Sequence, residues 1–134
     1  MTDHFMRQEM AVAAANIVSE CLEVESAEEV LVLADARTVG VADAVATAAS
    51  AVDANVVTQV MPLLDSHGNE PLPTVEEAMV AADVAFTCTT HAITHTNARL
   101  RAAEVGTRVG VLRGVTEEMM VDGAMTVDFP ALRR

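Results

Sequence analysis

The chain has 134 residues, of which 51% are apolar but only 2% aromatic, and a formal net charge of −12. That length is one domain's worth, sufficient to bury a core, and the core must be built from small aliphatic side chains, chiefly Ala and Val. The 20 acidic residues face eight basic ones, all arginine, a balance that repels nucleic-acid backbones and argues against nucleic acid as a partner.

No apolar run approaches the roughly 20 residues of a membrane-spanning helix, and Met1 to Arg7 lacks the basic-then-apolar form of a signal peptide. A cytoplasmic protein with no membrane partner is expected. A carboxylate-rich, lysine-free surface is also the habit of extreme halophiles, where molar salt screens self-repulsion within a few ångströms; the alternative is an acidic protein of a high-GC mesophile. Cys21 and Cys88 fall in unlike contexts and read as reduced thiols rather than a disulfide.

From about Phe5 to Leu22, apolar residues at Met6, Met10, Ala13, Ala14, Ile17, Val18 and Cys21 keep helical spacing and predict an amphipathic helix. Ser26-Ala27-Glu28-Glu29 has the form of a capping box, but Val30 to Ala34 follows at once as a continuous apolar run. We read a turn entering a first strand that is buried on both faces, the mark of a parallel sheet. An alanine-rich helix reaching about Asp53 and a second strand, Val56 to Val60, complete a right-handed βαβ unit. A loop with Pro62, Gly68, Pro71 and Pro73 leads to a helix capped by Thr74-Val75-Glu76-Glu77. Val84 to Cys88 forms the third strand, a helix runs from about Thr94 to Val105 and closes at Gly106, and Val109 to Leu112 forms the fourth strand. A short helix near Glu117 to Val121 follows. The expected fold is α/β, a Rossmann-like three-layer sandwich of about four mainly parallel strands in the order 2-1-3-4.

With that order the ligand crevice falls between the ends of strands one and three, lined by Asp35 to Thr38 and by Thr87 to His95. The first turn, Asp35 to Gly40, has a single glycine, which disfavours a dinucleotide, and no P-loop is present. Helix N-termini still attract anions, so Thr94, Thr96 and Arg99 could dock a carboxylate or phosphate above strand three. His91 and His95 stand four apart, a spacing that suggests a metal, but no third ligand is apparent. The simpler reading has one histidine at the helix start and the other exposed. Cys88 reads as a buried strand-end thiol rather than a nucleophile, and Met119, Met120 and Met125 as core or interface filler.

The succession Asp65 to Pro71, Glu77 to Val84, Thr94 to Arg99 and Gly114 to Met119 resembles the amino-terminal domain of the aminopeptidase T family, and it covers nearly all of the chain from about Arg7. Those proteins are described as leucyl aminopeptidases, metal-dependent exopeptidases, and their relatives include a ring-cleaving dihydroxypyridine dioxygenase. The resemblance implies that the metal ligands belong to a larger carboxy-terminal domain, missing here, so that this chain holds no cofactor and no catalytic residue itself. Arg113 departs from the family pattern, which tends to proline. Thr90, His91, His95, Arg99, Thr116 and Glu117 are then the candidates for ligand binding or for contact with the catalytic domain. Two functions follow. One is an accessory domain of a metal-dependent aminopeptidase-like hydrolase, with a catalytic domain or partner chain. The other is a stand-alone, non-catalytic domain that binds a small anion or forms a homo-oligomer through exposed apolar surface.

Overall fold

Five apolar residues in succession, Val30 to Ala34, leave no polar face to turn toward water, so the strand that holds them must be covered on both sides. A computed structural model describes residues 12–64, 69–91, 93 and 95–112, and in it this strand, β1 (Glu29–Ala34), lies inside the sheet with Val30 to Ala34 all buried. It pairs in parallel with β2 (Asn55–Val60) on one side and β3 (Val84–Thr87) on the other, and β3 pairs in parallel with β4 (Arg108–Val111). The order β2-β1-β3-β4 is the one that the sequence predicts.

Alternation along β1 divides the core in two. Val30, Val32 and Ala34 point to the side of α1 (residues 12–21, π-helical over Ile17–Cys21) and α2 (Val39–Ala51), and pack with Ala14, Ile17, Val18, Val41, Val45, Ala49 and Phe86. Leu31 and Leu33 point to the side of α3 (Pro73–Ala81) and α4 (Asn97–Glu104), against Val75, Met79, Ala85, Ala98 and Ala102. Helices on both faces of a parallel sheet make the three-layer α/β sandwich. The small side chains let the layers approach closely. At Gly110 of β4 an added Cβ would stand 2.6 Å from Leu22 Cδ1, too near for any other residue without repacking.

Local chemistry explains where the elements begin and end. Ser26 to Glu29 is a turn: Glu28 Oε1 accepts the Glu25 N–H at 2.9 Å, and Glu29 already belongs to β1. Helix α3 starts two residues earlier than its Thr74 capping box predicts. Pro73 takes the first helical position, where its fixed φ suits the helix and its missing N–H costs nothing. Leu72 becomes the cap residue, with its carbonyl accepting from Val75 and Glu76, and no side chain caps the helix. Gly106, at φ 94°, provides the left-handed turn after α4. Helix α4 begins at Asn97 rather than Thr94 because Thr96 is the cap: its Oγ1 accepts the Arg99 N–H at 3.3 Å. The helix predicted near Glu117 to Val121 lies outside the described residues. Among the described residues no helix is long and apolar enough to cross a membrane.

Candidate ligand crevice at the strand ends

Sheet order reverses between β1 and β3, so the loops leaving their carboxyl ends diverge and leave the crevice of an open α/β sheet. On the β1 side stands Asp35, 1% exposed, in a tight turn: the Asp35 N–H donates to Thr38 Oγ1 at 3.0 Å and the Thr38 N–H to the Asp35 carbonyl at 3.0 Å. On the β3 side stand Cys88, Thr89, Thr90 and His91. The two loops are tied across the crevice. The Thr90 N–H donates to Asp35 Oδ2 at 2.7 Å and Thr90 Oγ1 donates to Asp35 Oδ1 at 2.9 Å, while the Arg37 N–H adds a bond to Oδ1 at 3.0 Å. Both carboxylate oxygens are therefore held by the chain's own donors, as a buried carboxylate must be.

Next along, Thr89 Oγ1 donates to the His91 carbonyl at 2.7 Å, which turns the chain at the crevice mouth. His91 is half-buried there and His95 is exposed, and neither belongs to α4. The helical geometry that would place both imidazoles on one metal does not form. Among the described residues no cluster of three or more His, Cys, Asp or Glu side chains could hold a metal ion. Cys88 is 1% exposed and packs in the core on the α1/α2 side; burial pushes its thiol up to about 12. At neutral pH it stays protonated and sealed from solvent, unsuited to act as a nucleophile.

At the start of α4, where the sequence suggests that an anion could dock, the chain supplies a carboxylate of its own. Glu70, from the loop before α3, accepts the Asn97 N–H at 2.7 Å through Oε2 and the Ala98 N–H at 3.3 Å through Oε1. With Thr96 Oγ1 on the Arg99 N–H, the first-turn donors of α4 are matched within the chain. Arg99 turns away from the crevice. It lines a cleft of about 440 Å³ beside β4 with Leu22, Glu23, Glu25, Thr107, Arg108 and Val109, where its Nε is buried without a hydrogen-bond partner.

The sequence candidates thus divide. Thr90 and His91 sit in the crevice, His95 lies exposed before α4, Arg99 belongs to the β4 cleft, and Thr116 and Glu117 lie outside the described residues. Asp35, expected only as part of the crevice lining, ties the two loops together, and Glu70, which was not among the sequence candidates, caps α4. For Asp35 the signal was legible, an acidic residue ending a buried strand with a threonine three positions on. For Glu70 it was not, because its partners lie 27 and 28 residues downstream.

No family model matches the chain, and no curated protein matches it. Among solved structures, the 2,5-dihydroxypyridine dioxygenase of Pseudomonas putida KT2440 has the same fold, with a TM-score of 0.71 at 16% sequence identity. The match covers 84% of this chain and 36% of the dioxygenase chain, so the chain spans little more than a third of that protein's length. At such identity the likeness is one of fold.

Proposed function

We propose that the chain is the accessory α/β domain of a metal-dependent aminopeptidase-like protein and has no catalytic activity by itself. The observation that carries this reading is the closure of the crevice. Asp35, the carboxylate placed where an α/β enzyme would present a reactive group, has both oxygens bonded to Thr90 and Arg37. A general base must lie within reach of the proton it removes, and this carboxylate, 1% exposed and holding two loops together, is out of reach of a substrate. The motifs from Asp65 to Met119 support the same reading.

On this reading the divalent metal belongs to the catalytic domain, where it would polarise the scissile carbonyl and activate water. The segment from Thr90 to Arg99 would then contact that domain, and Thr116 to Glu118, the other contact expected from the sequence, lie outside the described residues. The test is direct. Purified chain given leucine p-nitroanilide with cobalt or zinc in high salt is expected to show no turnover. Robust hydrolysis abolished by His95→Ala would overturn the assignment.

A further inference from the structure

The two edges of the sheet differ. At β4, Val109 and Gly110 are buried, whereas β2 has four exposed residues of six, with Val57 64% and Val60 55% exposed. We propose that β2 is a self-association edge, pairing antiparallel with β2 of a second copy across a two-fold axis at Thr58 to form one continuous eight-stranded sheet.

Main-chain direction comes first. The Asn55 N–H donates to Glu28 and the Met61 N–H to Ala34, so odd-numbered residues of β2 turn their backbone groups to β1. Alternation along a parallel strand then directs those of Val56, Thr58 and Val60 outward. This set is symmetric about Thr58. In an antiparallel pairing, Thr58 faces Thr58 of the second copy, and Val56 faces Val60 of the second copy at either end, each pair exchanging two hydrogen bonds. The side chains agree: Val60, largely in water here, would meet Val56 of the second copy on the α2 side of the sheet, an apolar cross-strand pair.

Charge selects a second copy as the occupant. Between Val39 and Val60 the only charged residues are Asp43 and Asp53, two of 20 acids in a chain of net charge −12. Two such molecules can approach with least repulsion along this side. Strand edges that must stay single usually carry a charge, a proline or a bulge, and Asn55–Val60 has no charged residue and no proline. The contact is narrow, so the dimer should be concentration-dependent, and salt should favour it by screening the net charge. The inference stands apart from the accessory-domain reading, which concerns the loops after β1 and β3 and is tested by activity.

Sedimentation equilibrium of the full chain in molar salt should give twice 14.1 kDa at high protein concentration and dissociate on dilution. Hydrogen exchange should show the Val56, Thr58 and Val60 amides protected in the dimer and exposed on dilution. Thr58→Pro removes an outward N–H without touching the β1 ladder, and Val57→Lys adds charge to the edge. Both should weaken association by about tenfold or more, roughly the free energy of one or two hydrogen bonds, while Leu100→Lys on α4 should not. A chain that stays monomeric at high concentration, or a dimer in which Val57→Lys is folded and associates as tightly as wild type, would overturn the proposal.

Discussion

Asp35 is the residue on which the crevice depends. It is buried, and its two oxygens join the loop after β1 to the loop after β3 through Thr90. Asp35→Asn keeps the shape but turns an amide N–H₂ toward a donor, leaving a buried N–H unmatched. The expected loss is about 2–3 kcal/mol of stability, read from urea unfolding in high salt; a loss under about 0.5 kcal/mol would mean that water replaces these bonds freely. Glu28 illustrates the opposite case, a pair at the surface. Its oxygens accept from Arg108 at 2.9 and 2.7 Å, which holds its carboxyl below the usual value of 4.5. With Arg108 42% exposed, the pair is worth about 0.2–1 kcal/mol. Because the folded state has the lower pKa, this stability is complete above the unfolded value and is lost as pH falls through the folded one. Glu28→Gln should therefore be less stable than wild type at pH 7, and the gap should close as pH falls below 4.5 and through the lowered folded-state value.

Among the elements, α4 shows how a short helix is held by distant chain. Its eight residues are too few for a helix to persist alone. Its start is fixed by Thr96 within its own loop and by Glu70 from across the molecule. Glu70→Ala should cost about 1 kcal/mol and speed hydrogen exchange at the Asn97 and Ala98 amides while leaving β1 unaffected. Glu70→Gln, which keeps an acceptor but loses the charge near the positive helix end, should fall between the two. If exchange at Asn97 and Ala98 is unchanged in Glu70→Ala, the cap is not what holds the helix start. At the other end, Arg101 pairs with Glu76 and Glu77 of α3, joining the two helices on that face.

At the scale of the whole molecule, charge and topology act separately. Parallel pairing around β1 and small apolar side chains set the sandwich, while the net charge of −12 loads the folded state with repulsion. If the chain is halophilic, as its lysine-free acidic composition proposes, its melting temperature should rise from dilute buffer to molar salt as screening tightens. An unchanged melting temperature would remove that reading. The stretch from Val39 to Val60, which includes β2, adds only Asp43 and Asp53 to that charge.

The unbroken apolar run of Val30 to Ala34, the spacing of strands and helices, and the glycine at 106 are local properties, and from them the fold class and the order 2-1-3-4 were legible in the amino-acid sequence alone. The point where the strand order reverses, between β1 and β3, follows from the same order. The start of α3 was missed because Pro73 outweighs a capping box one residue later. The contents of the crevice belong to tertiary structure. Asp35 meets Thr90 across 55 residues and Glu70 meets Asn97 across 27, and no periodicity encodes which distant donor a carboxylate will meet. Only folding, which removes water from those groups and obliges each to find a partner, closed the crevice and turned Arg99 away from it.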